Sequence, residues 1–135
     1  MTVVLDSSVV VAAVTDEADA GPWARGILHG ELVAPVHWLV EAVGVIRRAV
    51  LADRLSSDLG SLAVADLARL PVQGVLLDGM VPRVWELRRT VSVADAFYVA
   101  VAEGLGAPLA TLDLRLTRAS GPRCEFVTPG AGAGA

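Results

Sequence analysis

TVVLDSSVVVAA, at residues 2–13, joins a short apolar run to an aspartate and two serines. Residues 2–5 have no polar face, which is typical of a strand buried in a parallel sheet that is covered on both sides. A helix is predicted from Val9 to Val14, so Asp6 lies where a strand passes into a helix. Ligands bind at that edge of open α/β sheets. Asp6 can equally be an ordinary helix cap, unless other carboxylates reach the same edge.

Composition limits the classes of function that this chain can serve. The chain has 135 residues, of which 54% are hydrophobic, and this suggests one domain with ample material for a core. The net charge of -4 argues against a general electrostatic binder of nucleic acid, but not against an enzyme that gathers acids around metal ions. The single cysteine excludes an internal disulfide and fits a reducing cytoplasm, and no apolar run is long enough to span a membrane.

Strand and helix signals alternate along the rest of the chain. Further strands are predicted at 32–34, 72–77, 108–112 and 124–128. Helices are predicted at 22–29, 36–53, 57–70, 82–89 and 92–105, with a short one after 113. This alternation predicts an α/β fold of three layers, α/β/α, with a central and mainly parallel sheet of about five strands. We expect one domain over 1–128 and a disordered Gly/Ala tail over 129–135.

Four acidic residues are candidates for one site at the sheet edge. Asp6, Asp95 and Asp113 lie at strand-to-helix junctions or helix starts, whereas Glu41 lies inside the helix predicted at 36–53. Each has an ordinary alternative, because Asp95 forms a capping-box spacing with Ser92, Asp113 can cap a helix, and a lone Glu on a helix usually faces solvent.

Taken together, these carboxylates predict a cation site. A cluster of carboxylates repels itself and raises some of its own pKa values unless a cation lies among the oxygens. Ligands that are all carboxylates suit Mg²⁺ or Mn²⁺, and two such ions can activate a water and stabilise the leaving oxygen of a phosphodiester. We therefore expect Asp6, Glu41 and Asp95 to converge on one acidic cleft, with Asp113 at its rim.

The order of the motifs resembles a known family. DSS at 6–8, Glu41, SVADAFY at 92–98 and TLDLRL at 111–116 are similar to a PIN domain, and specifically to the VapC-like ribonuclease toxins of type II toxin–antitoxin pairs. The resemblance covers nearly the whole chain. It implies an endoribonuclease dependent on Mg²⁺ or Mn²⁺, with Asp6, Glu41, Asp95 and Asp113 as catalytic residues and metal ligands. The matching positions of Ser7 and Thr111 imply small hydroxyl residues that line the site.

Partners follow from the same resemblance. It implies a homodimer that also binds a VapB-like antitoxin, and the high apolar content is in keeping with both contacts. Arg115 and Arg118 follow Asp113 and are the better candidates among the arginines for contacting RNA phosphates.

Other functions are compatible with the same fold. A binding module that needs no metal and a DNA nuclease are the main alternatives. A phosphatase with an Asp6 nucleophile is disfavoured because Ser8 occupies the position of its second acid.

Overall fold

The fold is an all-parallel five-stranded sheet with connecting helices, seen in a computed structural model that describes residues 1–16 and 19–130. The strands are β1 (Thr2–Leu5), β2 (Glu31–Pro35), β3 (Val72–Val75), β4 (Leu109–Ala110) and β5 (Phe126–Val127). The helices are α1 (Ser7–Thr15), α2 (Gly21–Ile27), α3 (Trp38–Leu51), α4 (Ser57–Arg69), α5 (Val81–Glu86), α6 (Val93–Leu105) and α7 (Leu114–Arg118). A 3₁₀ turn at Asp78–Met80 precedes α5.

The strand order determines where a site can form. The sheet has the order β3-β2-β1-β4-β5, so the chain first builds outward from β1 to β3 and then returns to the other side of β1 with β4. β1 is paired with β2 through Val4 and Val33, and with β4 through Val4 and Leu109. The connections therefore leave in opposite directions from the β1/β4 boundary, and such a reversal opens a crevice at the carboxyl ends of the strands.

Both faces of the central strand are covered, as the sequence predicted. Val3, Val4 and Leu5 are all buried although successive side chains of a strand point to opposite faces. α6 packs against β1, β2 and β4, while α1 packs against α2, α3 and α4. The predicted α/β fold with layers of helices around a parallel sheet is therefore confirmed.

The predicted elements are all present, and the differences lie at their ends. β4 and β5 are shorter than the predicted spans 108–112 and 124–128, although hydrogen bonds from Leu109 N to Glu125 O and from Thr111 N to Val127 O extend their pairing. α6 ends at Gly106, which has a φ of 62° that glycine adopts without steric cost. Most of the predicted disordered tail, at 131–135, lies outside the described residues. No helix in the described ranges is long and apolar enough to cross a membrane.

Candidate active site at the carboxyl edge of the sheet

Asp6 is the most deeply buried of the four acids, with only 5% of its surface exposed. Its backbone N–H donates to Ala110 O on β4, which holds the residue at the β1/β4 boundary. One carboxylate oxygen accepts from Ser8 N at 3.4 Å, so Asp6 does cap α1. Capping uses only part of the side chain, because Asp6 also accepts hydrogen bonds from the hydroxyls of Ser7 and Ser8.

Two hydroxyls connect Asp6 to the end of β4. Thr111 is fully buried, and its hydroxyl donates to Asp6 Oδ2 at 2.6 Å while accepting from Asp113 N at 3.0 Å. The Ser8 hydroxyl donates to the same Asp6 oxygen and accepts from Leu112 N at 3.2 Å. The segment 111–113 is thereby held against the β1–α1 junction, which brings Asp113 to the same edge as Asp6.

Asp95 enters the site on the first turn of α6. Ser92 caps this helix by accepting from Asp95 N at 3.3 Å, as its spacing predicted. Burial raises the pKa of the Asp95 carboxyl, and the negative charges of Asp6, Asp113 and Glu41 raise it further. Asp95 therefore has the capping spacing and also lies within electrostatic range of Asp6, Asp113 and Glu41.

Glu41 faces the protein interior more than the solvent. Its side chain is 30% exposed and accepts a 2.6 Å hydrogen bond from the hydroxyl of Tyr98, on α6. His37 Nε2 lies 3.6 Å from the same Glu41 oxygen. The ordinary alternative of a solvated glutamate on an amphipathic helix is therefore wrong for this position.

Asp113 and the two arginines lie on or beside α7. The Asp113 carboxylate caps α7 by accepting from Arg115 N at 3.0 Å and from Leu116 N at 3.4 Å. Arg115 lines a shallow pocket together with Asp95 and Asp113. Arg118 is exposed on α7 and is not among the residues that line this pocket.

Sequence reasoning missed two contributors to this site, Tyr98 and Ser8. Tyr98 appeared in the sequence analysis only as the last residue of the SVADAFY motif, although it lies three residues after Asp95 and therefore on the same helical face. That spacing is the signal that would have identified it. Ser8 was considered only as a substitute for a second acid, whereas its hydroxyl joins Asp6 to the 111–113 segment.

The donor set fits a hard divalent cation. Its groups are carboxylates, and the pKa of Asp95 is raised by burial first and by the charges of the other acids second, a shift that a bound cation would oppose. Among the described residues, no three side chains of the His, Cys, Asp and Glu types form a ready-made ligand group. Carboxylate ligands suit an ion that retains several waters, as Mg²⁺ does.

Comparisons with known proteins agree with this architecture. A model of the PIN domain matches residues 3–122. The chain is 41% identical over 125 residues to ribonuclease VapC12 of Mycobacterium tuberculosis, a match that covers 92% of this chain and 96% of the relative.

Two solved structures share the fold. One is PAE2754 from Pyrobaculum aerophilum, with a TM-score of 0.71, 20% identity, and coverage of 97% of this chain and 94% of that one. The other is VapBC2 from Rickettsia felis bound to a promoter DNA fragment, with a TM-score of 0.67, 12% identity, and coverage of 95% and 98%. Identities this low support the fold alone, whereas the family model and the identity to VapC12 establish membership. The chain belongs to the PIN-domain family and, within it, to the VapC ribonuclease toxins.

Proposed function

We propose that this chain is an endoribonuclease that depends on Mg²⁺ or Mn²⁺ and serves as the toxin of a VapBC-like pair. One observation carries the proposal, namely the partly buried Asp95 carboxyl, on which the negative charges of Asp6, Asp113 and Glu41 all act. Burial raises the pKa of the Asp95 carboxyl most, and the charges of Asp6, Asp113 and Glu41 raise it further. A site that stabilises only its own fold gains nothing from such crowding.

Each residue has a defined role in the proposed reaction. Asp6, Glu41 and Asp95 hold the cation, and Asp113 lies at the rim. A cation held by these residues would supply the Lewis-acid chemistry that activates a water and stabilises charge on the phosphodiester. Ser7 and Thr111 orient Asp6 through their hydroxyls.

The substrate side of the cleft has separate candidates. Arg115 lines the pocket beside Asp95, which supports a role in contacting an RNA phosphate. Arg118 is exposed on α7 and would contact a further phosphate along the RNA chain.

The proposal includes partners. A VapB-like antitoxin would cover the acidic cleft, for which an inserted arginine is a natural match. A homodimer would use exposed apolar side chains, which α3 and α4 provide at Leu39, Val40, Leu59 and Leu62. One domain over 1–128 and a cytoplasmic location, where Cys124 stays reduced, belong to the same proposal.

An RNA cleavage assay tests the function. We expect the purified chain to cut RNA with Mg²⁺ or Mn²⁺ and to be inactive in EDTA. Asp95→Asn should lower the cleavage rate by more than about 100-fold, because the amide retains the shape but loses the charge that binds the cation. The same assay with the co-expressed antitoxin should show inhibition.

The matched control is Asp58→Asn. Asp58 is an exposed acid in the first turn of α4, so its loss also removes a carboxylate from a helix start. This variant should cut RNA at the wild-type rate. Cleavage that persists in EDTA or in Asp95→Asn would contradict the proposal. If the chain cut DNA but not RNA, the DNA nuclease would be favoured. If it bound RNA without cutting it, the non-catalytic binding module would be favoured.

A further inference from the structure

We propose that Tyr98 is a positioning residue for Glu41, whose hydroxyl holds one carboxylate oxygen so that the other is left for the cation. This inference rests on the proposed function, because it assumes that Glu41 is a metal ligand. It adds to the four acids a residue whose side chain carries no charge.

A short hydrogen bond joins the side chains of Tyr98 and Glu41. Tyr98 OH lies 2.6 Å from Glu41 Oε1, and the tyrosine is 0% exposed. Hydrogen bonds of this kind, from a neutral donor to a carboxylate, are short and stronger than those between neutral groups. Because the Tyr98 side chain is fixed by burial, its hydroxyl is a donor of fixed position for this oxygen.

The helix that carries Tyr98 also carries Asp95. Tyr98 lies three residues after Asp95 on α6, and residues at this spacing share one face of a helix. α6 therefore presents one acid of the site and, one turn later, the hydrogen-bond donor for another acid on α3. This hydrogen bond therefore fixes the position of Glu41 relative to α6, the helix that also carries Asp95.

His37 packs against the tyrosine. Its ring lies 4.9 Å from the Tyr98 ring and 5.7 Å from the Phe97 ring, between centroids, and its Nε2 lies 3.2 Å from Ala94 O. Its Nδ1 is buried without a hydrogen-bond partner among the described residues. An unpaired buried nitrogen is a cost to the fold that calls for a specific explanation. We read His37 as part of the support for the Glu41–Tyr98 pair.

A purely structural role for Tyr98 makes a different prediction. A buried tyrosine hydroxyl needs an acceptor, and Glu41 could serve only that need. In that case, removal of the hydroxyl would lower stability without changing the affinity for metal. A positioning role requires both to change, because a partner behind a metal ligand typically controls metal affinity by about 10- to 100-fold.

Calorimetric titration of Mn²⁺ into the Tyr98→Phe variant separates these roles. We expect Mn²⁺ to bind about 10-fold more weakly than to the wild type. The matched control is Thr15→Val at the end of α1, which also removes a hydroxyl that donates at 2.7 Å, in this case to Val11 O. The control should lose stability but keep wild-type affinity. Wild-type affinity in folded Tyr98→Phe would overturn the inference.

A measurement on the wild type decides the matter if Tyr98→Phe does not fold. Tyr98 is the chain's single tyrosine, so ¹³C-tyrosine labelling gives one ring spectrum without assignment. Titration with Mg²⁺ should shift the Tyr98 ring resonances in step with binding, while the indole of Trp85, which is 65% exposed, stays unchanged. Binding of Mg²⁺ with a stationary Tyr98 signal would overturn this inference alone. Absence of any Mg²⁺ or Mn²⁺ binding would overturn the proposed function as well.

Discussion

Thr111 is a fully buried residue whose hydroxyl is shared between two partners of the site. It donates to Asp6 Oδ2 and accepts from Asp113 N. Thr111→Val keeps the shape of the side chain but removes the hydroxyl that bonds to Asp6 Oδ2 and Asp113 N. We expect the free energy of unfolding to fall by about 1–3 kcal/mol, the usual cost of leaving a buried polar group unpaired. Chemical denaturation would measure this loss, and Mn²⁺ affinity should fall with it because Asp6 loses an orienting donor.

Thr111→Ser is the matched variant, since it restores the hydroxyl and removes only a methyl group. It should recover most of the Mn²⁺ affinity while remaining somewhat less stable because of the small cavity. If valine and serine lowered the Mn²⁺ affinity equally, the hydroxyl would not be the group that matters.

At the scale of residues, motif spacing predicted the positions of three acids but not the side chains that contact them. Asp6 and Asp113 cap helices and Asp95 lies in the first turn of one, as their local patterns indicated. Tyr98 and Glu41 are separated by 57 residues in the chain, and no local pattern pairs them. Their contact arises only when α3 and α6 are placed side by side, which is a property of tertiary packing.

At the scale of elements, Arg83 joins α5 to α6 and to the segment before β5. Its guanidinium donates to both oxygens of Glu103, at 2.7 and 3.1 Å, and to Gly121 O at 2.8 Å. Both side chains are largely buried, at 21% and 15% exposed. Arg83→Met should lower the free energy of unfolding at neutral pH by about 2 kcal/mol, because it leaves a carboxylate with fewer partners.

This loss should depend on pH. Burial would raise the pKa of Glu103, but the hydrogen bonds from Arg83 and from Arg123 N outweigh burial and lower it. A carboxyl whose pKa is lower in the folded state adds stability above its unfolded pKa, and that stability is lost as the pH falls through the folded pKa. The difference between wild type and Arg83→Met should therefore be greatest at neutral pH and shrink in acid.

Arg69→Met is the control for this effect. Arg69 lies 3.9 Å from Asp66, and both side chains are mostly exposed. Exposed pairs contribute about 0–1 kcal/mol, so this variant should unfold almost like the wild type. If the deficit of Arg83→Met were the same at neutral and acidic pH, the ion pair with Glu103 would not be its cause.

The elements themselves were predictable where a periodic signal was strong. The apolar run of β1 matches the observed strand, and the capped start at Ser92 matches the start of α6. β4 and β5 are two residues long, and so short a segment carries too little periodicity to fix its ends. Their pairing with β1 and with each other defines them instead.

At the scale of the whole molecule, strand order creates the site. The sequence predicts strands alternating with helices, but not which strand lies beside β1. Placing β4 there brings Thr111 and Asp113 to Asp6, although they are more than 100 residues apart in the chain. The acids were recognisable as a set through their resemblance to a family, and the strand order explains why Asp113 lies beside Asp6.

The most direct test of the account is anomalous diffraction from crystals of this chain grown with Mn²⁺. We predict an anomalous peak within coordination distance of the carboxylates of Asp6, Glu41 and Asp95, which is lost in crystals of Asp95→Asn. Coordination there would show that the three acids form one metal site, as both the proposed function and the role of Tyr98 require. A Mn²⁺ peak only elsewhere on the molecule, or an unchanged peak in Asp95→Asn, would contradict it.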